Sequence, residues 1–577
     1  MPEIALASVN ISSRRKDVIL LDSGHIQLLD LNSHFALIKK SVIIETEAYW
    51  NAKNSSKFKL VSLRNGKKVD FIPAQLQKNN TDGKISTQVN FSPDGKFIIW
   101  RDSKTSQLFI YDIANRHFKP LVGRSTAEEI SGVESHSKYY QVLLWTKNDE
   151  DVIVSDGFDL WQVNPKTTSL NICLTGGIGR RNSLIFTPEE LDVSSPQNGR
   201  TILLQVFSEA NKQNGIASVK LGAPNSLTIK MLGPYLFTAR IPDNSFKLRW
   251  SENRKQFLVP RQDASSSPNL YVSSDFKKFH SITNIHPEKE FNWITSELVD
   301  LKLNDGTIGK GILYKPENFH PDKKYPIIFN FYQERSDELH LFHQPSIYSE
   351  NLLISWYVSN GYIVFVPDII NEKPGRIAET TLKVINSAVN QLSKNAWLDT
   401  TKMGLQGHSF GGFETELIIS HSKRFAAAQA GAARSDGIGG PLGLAFGRSA
   451  FAYYEKGQFN FNATLWEKPD IYIQNSPVLY ANNITTPLLI VHNENDDVVP
   501  YSHALAMFYS LRRLGKPAWL LNYKTSGHSV EGAENCVDFI IRQQQFFDHY
   551  LKGKPKPAWM IDGSLSLKLD SKVTNKN

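Results

Sequence analysis

The sequence predicts two domains of different class: an all-β propeller, complete or partial, over residues 1–285, and an α/β domain on a doubly wound, mostly parallel sheet over residues 286–560. A polar tail at 561–577 closes the chain. Three observations predict this. The 577 residues exceed what one hydrophobic core organises. A turn-and-strand unit recurs between residues 88 and 285, and from about Tyr325 apolar strands alternate with helical patterns.

The recurring unit is a polar turn followed at once by an apolar, β-rich run: "FSPDGKFIIW" from Phe91, "WTKNDEDVIV" from Trp145, "SSPQNGRTILL" from Ser194 and "WSENRKQFLV" from Trp250. A further strand follows each, beginning at Leu108, Asp159, Ile216 and Leu270. The turn hydroxyls of Ser92, Thr146, Ser195 and Ser251 stand 54, 49 and 56 residues apart, a period that suits one four-stranded propeller blade. Two weaker versions, "HIQLLDL" from His25 and "KFKLVSL" from Lys57, bring the expectation to about six blades. An all-β sandwich shares these signals and stays open as the alternative.

The texture changes near "NIHPEKEFNW", Asn284 to Trp293. Beyond it "YPIIFNF", "YIVFV", "MGLQG", "PLLIVH" and "AWLLNY" read as strands buried on both faces, with helices expected at 376–394, 414–421 and 501–514.

Composition excludes several classes. The 65 Lys+Arg against 57 Asp+Glu leave +8, scattered rather than gathered into a nucleic-acid footprint. Cys173 and Cys536 are too few for a disulfide framework or a thiolate metal site. No run reaches the roughly 18 apolar residues of a membrane span. Nor does the N-terminus show a basic segment leading into an apolar one, so the expectation is a cytoplasmic chain as written, or an exported one if a leader precedes residue 1. A homo-oligomer is compatible with all of this.

The chemistry centres on "GHSFG", Gly407 to Gly411, between a strand and a helix. That context is what a G-x-S-x-G nucleophile elbow requires, with glycines relieving a sharp turn that exposes the Ser409 hydroxyl. A hydroxyl is a weak nucleophile at neutral pH and needs a base, which in turn needs an acid to fix its tautomer. Asp496, in "NENDDVVP", and His528, in "KTSGHSV", follow later strands in the order Ser, Asp, His. Singly each reads as a surface residue; together they are the candidate triad. His408 is the rival base, but neighbouring side chains on a tight turn diverge. The Phe410 N–H, directly after the nucleophile, is a candidate oxyanion donor.

At these residues the chain resembles the prolyl oligopeptidase family of serine peptidases, which includes the dipeptidyl and acylaminoacyl peptidases. The likeness runs from "FNWITSELVDLKLNDGTIGKGILYKPENF" through "SNGYIVFVPDI", "GLQGHSFGGFET" and "TPLLIVHNENDDVVP" to "RQQQFFDHYLKGKPKPAWM", nearest the bacterial branch with an "HNxxD" acid loop. The resemblance implies a propeller over an α/β-hydrolase domain, Asp496 rather than Asp497 as the acid, and a tyrosine hydroxyl as second oxyanion donor, which falls on Tyr332. It also implies that the propeller restricts access to oligopeptides. Val498 stands where many relatives carry Arg or Asn for a substrate carbonyl, and "PEEL", with Glu189 and Glu190, is no convincing clamp for a peptide amino terminus. The glycine-rich loop Arg434 to Glu455 follows the next strand and offers Tyr453 and Tyr454 as substrate contacts, with Val499 on the acid loop as a third.

The expected function is hydrolysis of peptide bonds through an acyl-enzyme, needing no metal and no cofactor. An esterase or acyl hydrolase on the same fold is one alternative, since fold and triad do not choose the leaving group. A non-catalytic propeller protein that only binds is the other, and the complete Ser, Asp and His set weighs against it.

Overall fold

The computed structural model describes residues 4–9, 18–24, 26–42, 47, 50, 55–70, 89–101, 107–121, 140–167, 171–189, 195–237, 248–253, 255–347, 351–371 and 373–562. The chain divides into two compact units: Met1–Arg261 with Leu270–Thr283, and Gln262–Asn269 with Asn284–Asn577.

Among the described residues the first unit holds five four-stranded sheets and one two-stranded pair. Each four-stranded sheet is antiparallel with neighbours in chain order, as turns between successive strands allow. Val89–Phe91, Phe97–Arg101, Leu108–Asp112 and His117–Pro120 form one of them. The recurring hydroxyl has a structural reason. Ser92 Oγ accepts the Phe97 N–H at 3.0 Å, Thr146 Oγ1 the Asp151 N–H at 2.8 Å and Ser251 Oγ the Gln256 N–H at 3.1 Å, so each closes its turn.

One expectation changes. The apolar runs at His25 and Lys57 are strands of a single sheet, Ile26–Leu31, Phe35–Val42, Ser55–Ser62 and Lys68–Asp70, rather than two repeats. Two similar runs in sequence cannot reveal whether they pair within one sheet or found two. Within the "PEEL" stretch, Glu189 accepts bonds from Gln205 Nε2 and the Leu248 N–H, both at 3.0 Å, while Glu190 lies outside the described residues.

The second unit is built on an eight-stranded sheet: β1 (Ile294–Lys302), β2 (Ile308–Pro316), β3 (Tyr325–Asn330), β4 (Ile363–Pro367), β5 (Leu398–His408), β6 (Ala427–Gly431), β7 (Leu488–Val491) and β8 (Ala518–Leu521). Their spatial order is β1-β2-β4-β3-β5-β6-β7-β8. β1 and β2 pair antiparallel, as do β2 and β4, and every pairing from β4 onward is parallel. β4, β6 and β7 are buried at every residue, because both faces of the sheet are covered.

The alternation of the strands divides the core. Ile327, Phe329 and Phe365 face one side, with α2 (Ile377–Leu392), α3 (Phe410–His421) and α4 (Ser502–Arg513) packed there. Ile328, Val364 and Leu489 face the other, against α1 (Ile354–Ser359) and α5 (Ala533–Lys552). Helix α3 begins at Phe410 rather than at Glu414, so the nucleophile's turn leads straight into it. It is buried along its length, and the parallel pairing of β5 to β8 brings their C-terminal ends to the same edge of the sheet.

Candidate active site

β5 ends at His408, α3 starts at Phe410, and Ser409 alone makes the turn, with φ 57° and ψ −115°. A non-glycine residue in that region costs on the order of 1–3 kcal/mol and persists only where its surroundings impose it. The glycines do the imposing. A Cβ at Gly407 would stand 2.2 Å from the Gly411 carbonyl oxygen, and one at Gly411 2.4 Å from that of Phe331. No side chain fits either gap.

His528 Nε2 lies 3.0 Å from Ser409 Oγ, and its Nδ1 lies 2.8 Å from Asp496 Oδ2. The Asp496 side chain is fully buried; Oδ1 accepts the Val498 and Val499 N–H groups at 2.9 and 2.8 Å. Burial pushes its carboxyl up, but the bonds from His492, His528 and the Val499 N–H outweigh it and hold the group well below the usual carboxylate range. The acid is therefore ionised and faces the imidazole N–H. His408, the rival base, packs edge-on against His528 with ring centres 5.0 Å apart. Burial, and then the neighbouring His528, push its pKa down to about 3, which makes it a far weaker base than an ordinary imidazole.

Tyr332 is 37% exposed, and its ring stands 3.7 Å from the point a Gly411 Cβ would occupy, against the first turn of α3. Its hydroxyl accepts a bond from Gln458 Nε2 at 3.2 Å, and Gln458 Oε1 in turn accepts the Tyr453 hydroxyl. Phe410, as the first residue of α3, presents an N–H with no acceptor inside its own helix. Two expected substrate contacts are corrected. Tyr454 is fully buried, its ring stacked on Phe459 at 4.5 Å, so it belongs to the core beneath the loop. Val499 is buried too, and it contributes through its backbone to Asp496.

Two supporting residues escaped the sequence reading. His492 Nε2 stands 3.2 Å from Asp496 Oδ2 and 2.9 Å from the Val499 carbonyl oxygen, bracing the acid from the end of β7. Asn493 donates to the carbonyls of Gly527 and Ser529, at 2.9 and 3.3 Å, and so pins the loop on both sides of His528. The "HN" pair ahead of Asp496 was the available signal, but which groups it would reach depends on β8 lying alongside β7.

A serine, an imidazole and a buried carboxylate joined in this way have the arrangement that serine hydrolases use. Residues 375–554 match the model of the prolyl oligopeptidase family, and over that stretch the chain carries a domain of this family. Among curated proteins it is 26% identical over 302 residues to an uncharacterized peptidase, YuxL, of Bacillus subtilis, covering 50% of this chain and 43% of that one. It is 26% identical over 267 residues to a dipeptidyl-peptidase 5 of Porphyromonas gingivalis, covering 44% of this chain and 37% of that one. The chain thus spans less than half the length of these relatives. Among solved structures, dipeptidyl peptidase 4 of Porphyromonas gingivalis shares the fold with a TM-score of 0.61 at 14% identity, over 95% of this chain and 71% of that one.

Proposed function

We propose that the protein is a serine peptidase that hydrolyses oligopeptides through an acyl-enzyme. The observation that carries this is the single His528 ring bridging Ser409 Oγ and an ionised Asp496. In this reading His528 Nε2 takes the Ser409 proton as Oγ attacks the scissile carbonyl, and later gives it to the leaving amine. Asp496 holds the Nδ1–H tautomer and stabilises the imidazolium. The Phe410 N–H and the Tyr332 hydroxyl receive the oxyanion, each supplying about 2.7–4 kcal/mol of the barrier reduction. Water then releases the acyl group by the same route in reverse.

The architecture that goes with this reading is a β-propeller made of the four-stranded sheets, and a doubly wound α/β-hydrolase domain from about residue 286 to 560. The repeated antiparallel sheets and the run of parallel pairings from β4 to β8 support it. The peptidase names of the relatives favour an amide over an ester as the bond cleaved.

The test is labelling by a fluorophosphonate probe, with the modified residue located by mass spectrometry. Ser409 should carry the label, and Ser409→Ala should lower kcat on peptides by roughly 10⁶ with the fold intact. Undiminished turnover in folded Ser409→Ala protein would sink the assignment.

A further inference from the structure

Arg434 enters the interior from the loop that follows β6, and the residue is 3% exposed. Nη2 donates to the carbonyl of Val498, two residues past Asp496. Nε and Nη1 have no hydrogen-bond partner. The half-buried Arg335 bonds Glu338 at 2.7 Å, and the buried Arg542, whose Nη1 is also bare, has its Nε on Asp538 at 2.7 Å, so each is matched by a carboxylate. Among the described residues no carboxylate lies within ion-pair distance of Arg434.

What surrounds it instead is aromatic. The Tyr453 and Tyr454 ring centres lie 4.6 and 5.6 Å from the guanidinium carbon, and the buried Tyr454 hydroxyl is itself without a partner. Cation–π contact offsets part of the lost hydration, but bare donors on a buried cation still cost several kcal/mol. A donor set left open at that cost fits a ligand supplied from outside the chain. The location fits as well. Val498 ties the guanidinium to the acid loop, and the path from Tyr453 through Gln458 to the Tyr332 hydroxyl ties it to the turn at Gly411.

We propose that Arg434 is the anion contact of a substrate subsite, whose free Nε and Nη1 donors bind a carboxylate of the peptide. This rests on the peptidase reading above. The carboxylate is that of an acidic side chain beside the cleaved bond or of a free C-terminus, both of which offer a guanidinium the same geometry. The half-buried Tyr453 ring is the wall that turns aside to admit it.

The test uses the full chain and two peptide series. One pairs Glu with Gln at the residue before the cleaved bond; the other pairs free and amidated C-termini on one sequence. The acid member of one series should show kcat/KM at least about tenfold above its amide, a difference of about 1.4 kcal/mol, and the series that does so identifies the source. In Arg434→Gln that ratio should collapse towards one, with Arg434→Lys between, while circular dichroism and the thermal midpoint report folding. Equal rates for acid and amide in both series with the unaltered protein overturn the proposal and leave the peptidase reading standing, whatever the variants do. An acid preference that survives in folded Arg434→Gln also overturns it. No cleavage of any peptide and no labelling of Ser409 would remove the peptidase reading and this proposal together.

Discussion

At Asp496 four groups converge on one carboxylate: two backbone N–H groups on Oδ1, and His528 and His492 on Oδ2. Asp497 beside it is exposed. Asp496→Asn should therefore cost roughly 10⁴ in kcat, because an amide presents the wrong partner to the His528 tautomer. Asp497→Asn should leave kcat within an order of magnitude. Steady-state kinetics on one peptide decide, and a larger loss at Asp497 would assign the acid to the wrong neighbour. His492→Phe removes one brace while keeping a buried ring. Its expected cost is about tenfold in kcat, equivalent to about 1.4 kcal/mol, with KM little changed because the brace acts on the acid rather than on the substrate.

Helix α3 combines a strained entry with a fully buried body. Gly411→Ala would drive a methyl group into the Phe331 carbonyl, and stability should fall by about 1–3 kcal/mol or more, read from urea unfolding. The same helix buries Glu414 and Glu416, whose carboxyls burial pushes up to about 8. In the unfolded chain a glutamate titrates near about 4.3. The proton is held more tightly when folded, so the stability these groups contribute is fully present below that unfolded value and is lost as pH rises towards 8. The thermal midpoint should fall between pH 5 and pH 8. Glu416→Gln, which keeps the shape of the neutral acid, should flatten that fall; an unchanged slope would mean Glu416 ionises without penalty.

For the molecule as a whole, the boundary between the units is interleaved rather than a single cut. Gln262–Asn269 belongs with the second unit although Leu270–Thr283, which follows, returns to the first. The Phe342 N–H donates to Gln262 Oε1 at 2.9 Å, and Trp293 Nε1–H to the Ala264 carbonyl at 3.0 Å. Gln262→Ala leaves the Phe342 N–H buried without that acceptor and should cost about 1–3 kcal/mol. Hydrogen exchange should locate the loss in residues near 342 rather than in the four-stranded sheets. Loss confined to those sheets would mean that the segment serves the first unit.

The sequence by itself determined what local chemistry can carry. It fixed the repeat through hydroxyls that close turns five residues on, the parallel strands through runs apolar on both faces, and the elbow through glycines that flank one serine. Ser409, Asp496 and His528 were legible because each lies in the segment that follows a strand, and parallel strands deliver their ends to one edge. Only the tertiary structure decided the rest. It placed the runs at His25 and Lys57 in one sheet, closed Tyr454 and Val499 off from a substrate, and brought His492, Asn493 and Arg434 to the acid loop. The physical reason is that burial and partnership are set by which strands and loops become neighbours, and contacts such as Asn493 with Gly527 or Arg434 with Val498, 34 and 64 positions apart, leave no period in the chain that could announce them.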